Sequence, residues 1–302
     1  MNIPSDDFSG NTILPYFKRS VQELIQDRYS CRVYQETPVE QGLVSQVQEF
    51  AQSLVAGPLG SPLRFMLTVA NGNESNELKG LGTYGFIKKP AGFILGASGE
   101  EKYNLEDFGY GMEAIILYAT NLGLGTCWLG GTFTRSSFSG KIGLTKGETL
   151  PAVTSIGYPA EQSRGHRIRR MARGDWRLPW NSIFFDSEFG NTLQKENAGL
   201  YATPLEMVRL APSASNHQPW RIVKENSSFH FFIQRKSSLK PGNLLSVLLG
   251  LADLQRVDLG IAMCHFELTA REMGLQGRWE DQKPTVEKND LSLEYIISWN
   301  GD

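Results

Sequence analysis

Asp107–Trp128 reads DFGYGMEAIILYATNLGLGTCW, and Asp258–Trp279 reads DLGIAMCHFELTAREMGLQGRW. The two stretches lie 151 residues apart and, without a gap, share Asp, Gly, Met, Leu, Ala, Gly, Leu and Trp, eight of twenty-two positions. Phe108, Met112, Ile115, Ile116, Ala119 and Leu122 recur at helical spacing in the first, and Leu259, Met263, Phe266, Ala270 and Met273 in the second. Each stretch is predicted to be a long core helix opened by its aspartate and closed at a Gly-Leu pair, with a tryptophan just beyond. The chain repeats itself.

Working outward, Thr37-Pro38-Val39-Glu40 and Thr203-Pro204-Leu205-Glu206 share a helix-start design. Threonine is predicted to cap, proline to take the first helical position, and glutamate to reach back to the cap amide. Leu43, Val44, Val47, Phe50 and Leu54 continue the first stripe, whereas the second stops at Pro212. A Pro-x-Arg strand follows each, at Ser61–Phe65 and Gln218–Ile222, and further strands close the halves at Pro151–Ile156 and Leu293–Trp299. Each half therefore reads helix, strand, hairpin-like strand, long helix, strand. This predicts an internally duplicated α+β chain with a seam near Asp186–Leu200, a first half over 1–190 and a shorter second half over 191–302.

Composition narrows the function classes. With 302 residues the chain buries enough surface to need no disulfide or structural metal. The balance of 30 Lys+Arg against 32 Asp+Glu leaves −2, which argues against a nucleic-acid footprint or an acidic-membrane surface. Three dispersed cysteines, Cys31, Cys127 and Cys264, with no CxxC and only four histidines argue against a zinc site. No secretory signal is read at the N-terminus, and the longest apolar run, Leu244–Ala252, is too short to span a bilayer. A reduced, cytoplasmic setting is expected.

Four segments carry candidate chemistry. Arg28-Tyr29-Ser30-Cys31-Arg32 places two guanidiniums and a hydroxyl within five residues, donors suited to phosphate or carbonyl oxygens. Leu210–Trp220, LAPSASNHQPW, is a proline-fixed loop of small polar residues in which Asn216 offers both a donor and an acceptor. Gly123–Gly131, GLGTCWLGG, leaves backbone open to a flat ligand without the spacing of a dinucleotide fingerprint. Arg164–Arg177 holds six arginines in fourteen residues, mostly solvated by this reading, with one or two available to a phosphate. Cys127 reads as a structural thiol. His217 reads as a hydrogen-bonded loop histidine, with substrate contact as the alternative.

Together with Gly157-Tyr158-Pro159, these motifs resemble the FMN-dependent nitroreductase superfamily, in that family's order and from about Arg28 to Trp299. The resemblance is to a branch with two family-like halves in one chain. It implies a nitroreductase-like α/β/α sandwich folded as an intrachain pseudo-dimer. It also implies that Arg28 and Ser30, beside Tyr29, hold the FMN phosphate with help from Arg164 or Arg167. Arg32 would lie near the pyrimidine O2 and N1, while Pro212, Ser213, Ala214 and Asn216 line the pyrimidine edge. The amides around Gly130 and Gly131 would face N5.

The chain departs from the family in keeping one complete set of motifs. Where the first half should carry an Asn loop it has Ala56–Pro62, AGPLGSP, and where the second should carry the basic motif it has Lys195–Tyr201, KENAGLY. Gln276 and Arg278 interrupt the second glycine segment. The expectation is a fused dimer with one FMN site, monomeric, moving electrons from NAD(P)H to a small nitroaromatic or quinone acceptor through flavin N5. No side chain is read as an acid, base or nucleophile. The alternative is a carrier or sensor that binds FMN without turnover.

Overall fold

In the computed structural model, which describes residues 10–70, 78, 80–235, 252–285 and 292–302, the first half begins with three helices. These are α1 (Gly10–Ile13), α2 (Val21–Asp27) and α3 (Gln41–Ser53). There follow β1 (Leu63–Val69), β2 (Gly92–Ser98), the long α4 (Asn104–Asn121), β3 (Gly125–Leu129), α5 (Arg135–Ile142), β4 (Val153–Gly157) and α6 (Arg167–Met171). The chain continues through β5 (Phe184–Asp186), α7 (Lys195–Ala198), α8 (Ala202–Leu210), β6 (Trp220–Glu225) and β7 (Ser228–Gln234). The long α9 (Leu254–Glu272), β8 (Gly277–Glu280) and β9 (Leu293–Gly301) complete it. Of the apolar run Leu244–Ala252, all but Ala252 lies outside the described residues.

The two sheets obey one rule. The first has the order β1-β2-β4-β3 and the second β6-β7-β9-β8, with every one of these pairings antiparallel. β5 adds to the second sheet, parallel to β6, although it precedes residue 190. The first 190 residues thus already lend a strand to the second sheet. The α+β architecture is as the repeat predicts.

α4 and α9 are buried almost all round, over Leu105–Ala119 and Val257–Ala270, as befits helices packed in the centre of a chain rather than on its surface. They pack on each other through Gly109 and Gly260, themselves 151 residues apart. A Cβ on Gly109 would stand 2.2 Å from the Val257 carbonyl oxygen, and one on Gly260 would stand 2.0 Å from that of Glu106. The contact is reciprocal, as a two-fold interface requires. Both helices end on a left-handed glycine, Gly123 (φ 79°) and Gly274 (φ 77°). The following leucine amides reach back to Ala119 O and Ala270 O, each at 2.9 Å, closing the last turn as a C-cap should. One hydrophobic core runs through both halves; a second lies under α5 around Phe93, Phe133 and Phe138.

Three sequence expectations are corrected. Thr37 and Pro38 precede α3: Glu40 has non-helical backbone (φ −55°, ψ 135°) and is the N-cap, its carbonyl taking the first amides of the helix from Leu43 and Val44. α8 starts one residue before Thr203 and carries Pro204 at its third position, running on from a 3-10 turn at Gly199–Tyr201. Proline is tolerated there because first-turn amides have no intrahelical acceptor. Asp107 and Asp258 sit inside their helices and reach to loops instead. Asp107 accepts from the Leu59 and Ser61 amides, both at 2.8 Å, and Asp258 from the Ala214 amide at 2.8 Å. No helix among the described residues is long and apolar enough to cross a membrane.

Gly109→Ala or Gly260→Ala pushes a methyl group into backbone and is expected to cost about 3 kcal/mol or more by overpacking. Gly42→Ala in α3, where nothing lies within 4 Å, is expected to gain about 0.5–1 kcal/mol. Chemical-denaturation midpoints of the three variants check this. Equal tolerance of all three would refute the close crossing.

Candidate functional site

The site starts with the basic motif lying extended beside β3. Cys31 N donates to Thr126 O at 2.8 Å, and Ser163 Oγ accepts from Arg32 N (3.1 Å) and Val33 N (3.3 Å). An extended chain alternates its side chains. Cys31 and Val33 consequently enter the core while Arg28, Ser30 and Arg32 face a cavity.

Two cavities adjoin, sharing Ser30, Arg32, Ala172, Pro212, Ser213 and Ser215. The smaller, about 190 Å³, is also lined by Arg28, Tyr29, Arg164, Arg169, Arg177 and Asn216, with Asp175 as its one carboxylate. The larger, about 560 Å³, is lined by Trp128, Gly130 and Gly131 from the first half. The second half lines it with Ala214 and the α9 residues Leu254, Val257, Asp258 and Ile261. The halves meet here: a Cβ on Gly130 would lie 2.6 Å from Leu254 Cδ1. All the residues that the resemblance assigns to FMN line one cavity or both, except Arg167. That residue begins the short α6 and is exposed, while Arg169, two positions on, is buried.

The polar end is crowded with cations. Arg164 and Arg169 lie over the Tyr29 ring, at 4.4 and 5.6 Å. Asp175 holds Arg169 through both its oxygens. Burial first, then the neighbouring Arg28, pulls Arg177 down to about 10. Burial likewise lowers Arg28, against the pull of Glu113. The Nε atoms of Arg28, Arg32 and Arg169 are buried with no hydrogen-bond partner among the described residues.

Behind the site, Glu113 of α4 joins both cavities to the other half. Its Oε2 accepts from Trp128 Nε1 at 2.7 Å, and its Oε1 lies 3.4 Å from Arg28 Nε and 3.1 Å from His265 Nε2 on α9. His265 Nδ1 faces the Met207 carbonyl at 2.9 Å and, since a carbonyl only accepts, donates to it.

The Asn loop is strained: Ser215, Asn216 and Gln218 have φ of 51°, 57° and 49°, backbone that non-glycine residues keep only where the surroundings impose it. Asn216 spends its amide on the arginine segment. Nδ2 donates to Arg173 O (2.8 Å) and Trp176 O (2.9 Å), and Oδ1 accepts from Arg177 at 3.5 Å. Arg177 also bridges Leu210 O and Gly174 O. His217 lines neither cavity, and Cys31, Cys127 and Cys264 are buried free thiols.

Sequence reasoning did not single out Arg169, Arg177, Glu113 or His265. The arginine-rich composition marked the first two only as a segment. The other two sit on helices whose apolar periodicity marks core and hides a buried polar contact.

The sequence matches, over residues 20–270, the family model described as "Putative TM nitroreductase". Among curated proteins none matches. The structure is similar to that of a "putative nitroreductase" from Thermotoga maritima, at 20% identity and a TM-score of 0.57, covering 93% of this chain and 94% of that one. It also matches, over 50% of this chain and 92% of the other, a structure from Desulfovibrio desulfuricans titled as a putative nitroreductase in complex with FMN, at 21% identity and a TM-score of 0.40. A nitroreductase family protein from Clostridium difficile matches over 54% of this chain and 95% of its own, at 20% identity and a TM-score of 0.41. A match over residues 20–270 spans most of the chain, and the protein belongs to this nitroreductase family.

Proposed function

We propose that the chain binds one FMN across the two adjoining cavities and is an oxidoreductase acting between NAD(P)H and a small nitroaromatic or quinone acceptor. The observation that carries this is the pairing of a guanidinium-lined cavity with a larger, largely apolar one. The buried Nε of Arg32, where the two join, has no hydrogen-bond partner among the described residues, and that of Arg28, in the smaller cavity, faces Glu113 Oε1 at 3.4 Å. A phosphate suits the first, since arginine forks hold it through several charge-assisted hydrogen bonds. A flat ring suits the second, where Gly130 and Gly131 carry no side chain. The residues fit the cofactor.

When bound, FMN would supply a two-electron carrier that takes and gives hydride at N5. The chain's own residues do the rest. Arg28 and Ser30, with Arg164, Arg169 and Arg177, would hold the phosphate. Arg32 would set a fixed positive charge at the pyrimidine end, favouring an anionic reduced ring. Pro212, Ser213 and Ala214 would border the ring from the second half. Asn216, by tying down Arg173–Arg177, would act as a positioning residue for the arginine wall. Arg167 is not retained in this role.

Purified protein is expected to be yellow, with one FMN per chain, and to be monomeric by light scattering. Both walls belong to one chain, and a covalent link makes their docking intramolecular at roughly millimolar effective concentration. The double variant Arg28→Ala, Arg32→Ala is expected to lose the flavin on dialysis with its fold kept, each guanidinium forfeiting bonds of about 1.5–3 kcal/mol. Retained colour, or two FMN per chain, would overturn the assignment.

Asn216→Ala is expected to open the arginine segment. Trypsin should then cut after Arg170 or Arg173 roughly tenfold faster, the equivalent of about 1.4 kcal/mol in local opening. Unchanged cleavage would show that the loop does not hold this wall.

A further inference from the structure

Asp107 and Asp258 occupy the same place in the two halves but are differently satisfied. Asp107 has both carboxyl oxygens on backbone amides, those of Leu59 and Ser61. Asp258 has Oδ1 on the Ala214 amide, while its buried Oδ2 finds no hydrogen-bond partner among the described residues. The loops explain the difference. In the second half the amides of Asn216, His217 and Gln218 turn inward to Ser213 O, Ala214 O and Ser213 Oγ, at 3.0, 3.1 and 2.8 Å. They are spent within the loop, and Asp258 is left with one donor.

Asp258 is 3% exposed and is one of the residues lining the larger cavity. An ionised carboxylate buried with a single donor is costly. Burial accordingly lifts this carboxyl well above the usual range, and the nearby Asp253 reinforces the shift. With Oδ1 accepting from Ala214, the proton of the neutral acid belongs on Oδ2, the oxygen without a partner. A neutral acid held this way is a hydrogen-bond donor, a role open to a buried carboxyl in an apolar site.

We propose that Asp258 is a substrate-orienting residue: Oδ2 carries a proton and donates it in a hydrogen bond to an uncharged acceptor oxygen in the larger cavity, such as that of a nitro, quinone or carbonyl group. The proposal rests on the function above in taking this cavity as the substrate side. It adds a specificity, because an acid O–H pairs with an acceptor oxygen and leaves a ligand's own N–H or O–H without its match.

Binding of 4-nitrobenzyl alcohol to the oxidised protein, with no nicotinamide present, tests this by calorimetry and by infrared difference spectroscopy. Asp258→Asn keeps an oxygen for Ala214 and an N–H donor for the cavity, and should bind the probe within about threefold of wild type. Asp258→Leu should bind it roughly tenfold more weakly, as expected for loss of one such hydrogen bond. Leucine also strips the Ala214 amide of its acceptor, so the infrared signal carries the test should that variant misfold. Wild type should show the carbonyl stretch of a protonated carboxyl that Asp258→Asn lacks, and the probe should move that band to lower frequency.

Failure of the wild type to bind the probe, absence of the band, a band the probe does not move, or full affinity in a folded Asp258→Leu would each overturn the proposal. The two readings fail separately. Colourless protein that still shows the moving band would sink the cofactor reading alone, and yellow protein without it would sink this one.

Discussion

The close approach of α4 and α9 at Gly109 and Gly260 is the constraint on which the rest of the structure depends. Each glycine leaves room for a carbonyl oxygen of the opposite helix, that of Val257 or Glu106, at a distance no side chain permits. That approach brings Glu113 to His265, and Gly130 against Leu254. These two contacts set the back and the floor of the site. Neither cavity belongs to one half. The basic motif, β3 and the arginine segment come from the first, and the strained loop and α9 from the second. A site assembled this way inherits its precision from the helix crossing, because packed helices move as rigid units whereas loops do not.

The same topology has diverged in its chemistry. Where the second half should present an extended basic motif, Lys195–Ala198 forms α7. There Lys195 lies over Trp180 and 3.6 Å from Glu206, its charge spent on surface contacts. In the second half's glycine segment, Arg278 pairs with Glu280. The first-half loop at Leu59–Ser61 is closed onto Asp107 with both carboxylate oxygens used. Each lost motif has become a self-satisfied piece of structure, whereas Arg32 and Asp258 each keep a buried polar atom with no hydrogen-bond partner among the described residues.

The sheets, the duplication and the two central helices were legible because apolar spacing and a 151-residue repeat report burial directly. The Arg28–Arg32 motif and the Asn loop were legible as well, being short and local. Arg169 and Arg177 were not. On a helical turn, positions two apart point to opposite sides, so the placing of α6 decides whether Arg167 or Arg169 faces inward, and six arginines in fourteen residues carry no mark of that register. Glu113 and His265 were hidden for a different reason. A helix buried all round has no polar face against which a buried polar contact stands out. The two Thr-Pro starts misled because proline suits several positions near a helix start, and only the preceding backbone selects among them.

Charge at the narrow end ties binding to the state of the fold. Five arginines line a cavity of about 190 Å³ with Asp175 as its one carboxylate, and Glu113 lies 3.4 Å behind Arg28 Nε. Burial pulls Arg28 and Arg177 down, and at each the repulsion of a neighbouring arginine adds to it. An anion entering here would relieve both terms at once, since it supplies acceptors to buried donors and charge to buried cations. The arginine segment is tied at this end by Asn216 of the other half, which donates to Arg173 O and Trp176 O. A phosphate at this end would therefore stabilise the fold by mass action and, through Glu113 and His265, favour the same pairing of α4 and α9 that forms the larger cavity.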